Sequence, residues 1–290
     1  MERSAVDVVV PYAGSADGLA AVVARLADLK LGDDDTVTVV DNRGVPGTGG
    51  GRVRVARLAA PRSSYSARNA GAALGSAPWL LFLDGDVVAP ADLLARYFAR
   101  EPAAGAGVLA GAVVDAPVEI GGPAAARYAS LKASMSQETT LAHGPWAFAQ
   151  TANCAVRREA FAAVGGFAGG IRSGGDADLC WRLRAEGWTL ERREEAAVVH
   201  HNRANVAGML GQRARHGAGA AWLGRRHPGA LPARRPVGLA WWATRRAASG
   251  SVAALRGDSD AALLGLLDGP AVWAFELGRL VPNRPLLLRR

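Results

Sequence analysis

Five consecutive apolar residues, Trp79-Leu80-Leu81-Phe82-Leu83, follow Pro78 and deliver the chain to Asp84-Gly85-Asp86. A run of that length, bounded by a proline and a glycine, reads as a strand buried on both faces of an α/β sheet. Open sheets bind ligands beyond the carboxyl ends of their strands, so Asp84 and Asp86 are placed to face a crevice. Two hard carboxylate oxygens there suit Mg²⁺ or Mn²⁺, which keeps positions in its shell for phosphate oxygens and water. Asp-Gly is also common turn chemistry, and this segment alone leaves a cation site and a plain turn equally open.

The same alternation of strand and helix signals recurs upstream and downstream. Val6 to Pro11 is a valine-rich strand, and residues 17 to 29 follow with Leu19, Val22, Val23 and Leu26 at helical spacing. Thr36 to Asp41 is a second strand, followed by a Gly-rich loop from Gly44 to Gly51 and a short strand near Val53 to Leu58. Residues 64 to 75 read as a helix, 90 to 99 as another, and 107 to 114 as a strand. This order predicts an α/β fold with a mostly parallel central sheet flanked by helices.

Charge is uneven along the chain. Residues 200 to 290 hold 14 Arg against Asp258, Asp260, Asp268 and Glu276, whereas the first 199 residues are nearly neutral. Trp241-Trp242 beside Arg245-Arg246 has interfacial character, so peripheral contact with an anionic membrane is one reading and an Arg-rich solvated helix face is the other. No nucleic-acid motif accompanies the arginines, and no nucleic-acid partner is expected. Cys154 and Cys180 form neither a disulfide framework nor a metal set, and the start lacks the basic and apolar regions of an export signal. A cytoplasmic protein, with the inner face of the membrane as a second location, is the expectation. The stretch from Ala261 to Val281 carries Asp268, Glu276 and Arg279, which argues against a spanning helix.

Several of these pieces together resemble the family 2 glycosyltransferases, inverting enzymes with a GT-A nucleotide-sugar-binding fold. The matching blocks are VDVVVPYAG, VTVVDNRG, SARNAGAALGSAPWLLFLDGDVV, NCAVRREAFAAVGGF and GGDADLCWRLRAEG, in that order between about residues 5 and 225. The resemblance implies a transferase domain over residues 1–225, leaving 226–290 as an Arg-rich helical C-terminal extension. It also implies a nucleotide-sugar donor, usually a UDP-sugar, an acceptor of unknown identity, and Mn²⁺ or Mg²⁺ as cofactor.

Carried over one position at a time, the resemblance puts Pro11, Tyr12 and Asp41 around the base and ribose and Arg68 near the diphosphate. Asp86 becomes the direct metal ligand, with Asp84 touching ribose or metal-bound water. In the second acidic cluster Asp176 takes the place of the catalytic base, with Asp178 as the alternative. Gly175 stands where the family's Glu would be, so the usual acidic pair is incomplete. Residue chemistry alone makes Asp176 a helix N-cap and Asp178–Arg182 an i,i+4 ion pair. His200, or His201 beside it, is placed to add a metal ligand. Gln212 and Arg215 resemble a processive-synthase signature, yet His216 replaces its Trp, which favours transfer of a single sugar. Trp146 and Asn153 are weaker candidates for the acceptor or donor sugar.

Three other classes compete. A sugar nucleotidyltransferase would use the same ligands but release pyrophosphate. A non-catalytic nucleotide or nucleic-acid binder would rest on the Arg-rich tail and lose affinity steeply with salt. A haloacid-type phosphohydrolase needs a nucleophilic Asp at the first strand, where this chain has Pro11-Tyr12.

Overall fold

A computed structural model describes residues 3–45, 47, 49–58 and 63–285. Pro46 and Thr48 of the Gly-rich loop and the last five residues of the C-terminal extension lie outside the described residues. The elements in chain order are β1 (Val6–Tyr12), α1 (Ala16–Ala27), β2 (Thr36–Asp41), β3 (Val53–Arg57), α2 (Ser64–Ala72), β4 (Trp79–Leu83), β5 (Val87–Val88) and α3 (Leu93–Tyr97). They continue with β6 (Ala106–Asp115), α4 (Ala124–Leu131), α5 (Gln137–Leu141), β7 (Asn153–Arg157), α6 (Arg158–Ala163), α7 (Gly175–Ala185) and β8 (Thr189–His200), then α8 (Val206–Arg226), α9 (Pro236–Leu255) and α10 (Ser259–Gly278).

The chain divides into two compact units. The first comprises residues 1–114, 135–200 and 285–290, the second residues 115–134 and 201–284. The sequence-based boundary at 225 differs from this division because α8 groups with the C-terminal helices. There the added Cβ of an alanine at Gly217 would lie 1.8 Å from the carbonyl oxygen of Phe275, and one at Gly278 2.0 Å from that of Ala214. Main chain meets main chain along α8 and α10, a packing that any larger residue would break.

The sheet of the first unit has the order β3-β2-β1-β4-β7-β6-β8-β5. β1, β2, β3 and β4 pair in parallel, but β7 runs antiparallel to both β4 and β6, and β5 antiparallel to β8. The sheet is therefore mixed, which corrects the expectation of a mostly parallel one. Apolar runs report burial on both faces but carry no signal for strand direction, and that is why the reading missed the reversal at β7. Val8, Val37, Leu81 and Leu83 at the centre of the sheet are each at most 1% exposed, each contributing about 1.5–3 kcal/mol of burial. Asp7 interrupts the β1 run and is itself buried; Thr36 Oγ1, the Ala77 amide and Arg158 satisfy it. Helix α2 lies close on the sheet because Gly71 replaces a side chain that would meet Val9 at 2.4 Å. The strand order reverses beside β1, so the crevice opens beyond Tyr12 and Asp84.

Candidate active site

Asp84 and Asp86 occupy the turn between β4 and β5. The Arg25 guanidinium donates to the Gly85 carbonyl oxygen at 2.8 Å, tying that turn to α1 from behind. Asp86 is 57% exposed, and His200, at the end of β8, brings Nε2 to 3.5 Å from its Oδ2. The pairing of Val87 with His200 across β5 and β8 sets that approach. Two cis ligands on an octahedral ion with bonds of about 2.1 Å stand about 3 Å apart, so this carboxylate–imidazole pair fits a shared divalent ion after a small adjustment. Among the described residues no group of three or more His, Cys, Asp or Glu gathers as a metal cage. Mg²⁺- or Mn²⁺-type sites at phosphates draw on few protein ligands in any case.

Arg68 is not a surface residue of α2. It is 3% exposed, its guanidinium pairs with Asp84, and its charged carbon lies 5.5 Å from the Tyr65 ring and 6.0 Å from the Phe167 ring. Arg68 Nε is buried and makes no hydrogen bond among the described residues. A buried donor of that kind suits an anionic ligand such as a diphosphate.

Asp176 stands on the first turn of α7. It is not the N-cap that residue chemistry suggested: Gly174, at φ 87°, holds that place, because only a glycine takes this left-handed conformation without strain. Released from capping, the Asp176 carboxylate accepts from the Tyr65 hydroxyl at 3.5 Å and the Ala177 amide at 3.1 Å, both through Oδ1. Burial pushes the Asp176 carboxyl above the ordinary value of 3.8; Arg68 opposes the rise and Asp84 adds to it. Asp84 is raised as well, again by burial against the pull of Arg68, with Asp86 adding to the rise. Arg68 thus sits electrostatically between two acids that burial makes reluctant to ionise.

Asp178 has a different place. It is 0% exposed and paired with Arg182 at 2.8 Å, while Arg182 also donates to the carbonyls of Val164 and Gly166. The group fastens α7 to the Gly165-Gly166 turn. Asn153 is likewise committed: it accepts from Tyr97 at 2.7 Å and donates to the carbonyls of Ala112 and Ala196 at 2.9 and 2.7 Å. Fully buried, it braces the sheet and is not placed to touch a sugar. Trp146 is half-buried, edge-on to Trp181 of α7 with ring centroids 4.9 Å apart.

At the tip of β2 Asp41 is buried and accepts the amides of Arg43 and Val45 at 2.8 and 2.7 Å, so its carboxylate shapes the loop after the strand. Next to it Asn42 is 6% exposed, and its Oδ1 has no hydrogen-bond partner among the described residues. The Asn42 amide donates to the Tyr12 carbonyl at the end of β1. Pro11 and Tyr12 form that end, with the Tyr12 hydroxyl donating to the Ser15 carbonyl. Asn42 and Tyr65 are the two site residues the sequence reading passed over. The position of Asn42, directly after a strand tip, was the available signal; nothing local marked Tyr65.

Gln212 and Arg215 lie on α8 in the second unit. Gln212 accepts from Arg203 at 3.3 Å. His216 beside them is lowered to about 3 by burial, with Arg215, Arg213 and Arg203 adding to the effect. His201 follows the end of β8 and is exposed, in contrast to His200 at 6% exposure.

A family model described as "Glycosyltransferase like family 2" matches residues 3–219. The chain belongs to that family. Family 2 membership is accompanied by 30% identity over 231 residues to the pre-mycofactocin glycosyltransferases of two Mycobacterium tuberculosis strains, CDC 1551 and H37Rv, covering 77% of this chain and 48% of each relative. The chain spans about half the length of these curated relatives. A solved mannosyltransferase from Pyrobaculum calidifontis, in complex with GDP-Man and Mn²⁺, superposes with a TM-score of 0.65 at 18% identity, covering 96% of this chain and 88% of the other. That likeness shows the GT-A fold.

Proposed function

We propose that this family 2 glycosyltransferase moves one sugar from a UDP-sugar to an acceptor hydroxyl with inversion at the anomeric carbon. The observation that carries the reading is the gathering of Asp84, Asp86, His200, Arg68 and Asp176 within the first unit, at strand tips and on the two helices facing them. Asp86 and His200 would hold Mn²⁺ or Mg²⁺, which when bound supplies Lewis-acid stabilisation of the departing diphosphate. Arg68 binds the diphosphate through the donors it does not spend on Asp84. Asp176 takes the acceptor proton, a contribution of about 10²–10⁴ in rate; its raised proton affinity brings it toward the working range of a general base. Asp178 is already neutralised by Arg182 and holds the helix.

Uridine is favoured by Asn42. Its side-chain amide offers one acceptor and one donor, the complement of the N–H and carbonyl on the uracil edge. Guanine presents two adjacent donors and would call for a free carboxylate, whereas both oxygens of Asp41 are engaged by loop amides.

A thermal-shift panel of UDP, GDP and their sugars, with and without Mn²⁺, tests the proposal. A donor at a hundred times its Kd stabilises by about 2.7 kcal/mol, or about 5–10 °C for a domain of this size. The expected result is a Mn²⁺-dependent shift with UDP that Asp86→Ala abolishes. An equal shift without metal or in the variant overturns the metal assignment, and a larger shift with GDP overturns uridine.

A further inference from the structure

The second unit carries an apolar stripe on the side of α9 that faces away from α10. Leu239, Ala243, Arg246 and Gly250 form the inner side: Gly250 abuts the backbone at Ala262, Gly265 and Leu266, Ala243 touches Gly269, and Arg246 pairs with Asp268. On the opposite side Val237, Trp241, Ala248, Val252 and Leu255 recur at steps of four, seven, four and three residues, which is helical spacing pointed at solvent. Val237 is 84% exposed, Trp241 62%, Val252 45% and Leu255 89%. Single exposed apolar side chains are ordinary, but four large ones recurring on one face of a 20-residue helix, with Thr244 the polar interruption between them, mark a contact surface.

Charge selects the partner. From Arg225 to Gly257 the chain holds seven Arg and no acid. Arg245 lies over the Trp241 ring at 4.7 Å, so cation and aromatic are presented together. We infer that α9 lies flat on an anionic lipid surface, with its apolar stripe at the acyl boundary and the arginines among the headgroups. Within the same unit α10 is long and apolar enough to cross a membrane by length and composition. Its Asp268, however, is buried against Tyr128 at 2.8 Å, Arg246 at 2.7 Å and Lys132 at 3.5 Å. That polar cluster fixes α10 inside the helical unit and makes surface docking, rather than spanning, the mode of contact.

Co-sedimentation of the 290-residue protein with phosphatidylglycerol/phosphatidylcholine vesicles, against phosphatidylcholine alone, tests this. Binding is expected to the anionic vesicles and to weaken as salt rises. Trp241→Glu/Leu255→Glu should lose at least about tenfold in affinity, and Arg245→Gln/Arg256→Gln about fivefold per arginine. All four side chains project from the inner packing of the unit, so circular dichroism and Tm should match the parent protein; should the first pair not fold, the arginine pair carries the test alone. Equal recovery on neutral vesicles, protein left in the supernatant, or unaltered binding by a folded variant overturns the proposal. So does a concentration-dependent dimer that Trp241→Glu/Leu255→Glu dissolves without any vesicle binding, which would make the stripe a self-association face.

Discussion

Arg68→Met removes the guanidinium between Asp84 and Asp176 while keeping a long apolar stem between Tyr65 and Phe167. Losing one partner of a buried pair costs about 3–5 kcal/mol. Asp84 is one-third exposed, so water recovers part of that and about 2 kcal/mol remains. Two ring contacts, at 5.5 and 6.0 Å, add about 0.5–1 kcal/mol each, for a total near 3 kcal/mol by urea denaturation at neutral pH. The sign of the pH dependence separates charge from packing. Both carboxyls already sit above 3.8 because of burial, and Arg68 holds them down. Without it both rise further, so the folded variant takes up protons at a higher pH than the parent does. The stability deficit should therefore shrink as pH falls through the raised values toward 3.8, and the acid limb of kcat/KM should move to higher pH. A deficit that stays constant on acidification, with an unmoved acid limb, would refute the electrostatic reasoning and leave only lost packing.

Asp178→Asn and Asp176→Asn should behave as opposites. The first breaks a fully buried pair and should lower stability by about 3–5 kcal/mol in urea; the second should keep its Tm and nucleotide binding but lose turnover by about 10²–10⁴. Full turnover in folded Asp176→Asn would transfer the base to another residue. Cys154 and Cys180 are both buried, Cys154 held well above its ordinary value by burial and Cys180 pushed up to about 12. A thiol reagent should label neither in the native protein at neutral pH and both after unfolding. Gly217→Ala places a methyl against the Phe275 carbonyl and should cost about 1–3 kcal/mol, read as a lowered Tm.

The sequence made the parallel half of the sheet and the Asp-x-Asp turn legible because both are written in contiguous residues. Runs such as Val8-Val9-Val10 and Leu80-Leu81-Phe82-Leu83 announce burial on two faces, and the acids follow directly. What it could not show depends on pairing across long separations. The direction of β7 is set by its neighbours, the capping of α7 by Gly174 rather than Asp176 depends on a backbone angle, and the bracing role of Asn153 depends on Tyr97, Ala112 and Ala196. Arg68 is the instructive intermediate: the family pattern placed it near the diphosphate, but its pairing with Asp84 and its seat between two aromatic rings came only with the fold.

In the helical unit, glycines at 217, 250, 265 and 278 bring one backbone directly against another. Contacts between side chains can absorb a substitution by turning about a χ angle; a carbonyl facing an α-carbon has no such freedom. Spacing in this bundle is consequently a property of the peptide skeleton itself, and the outward residues of α9 can be exchanged wholesale without altering how far apart the rods stand.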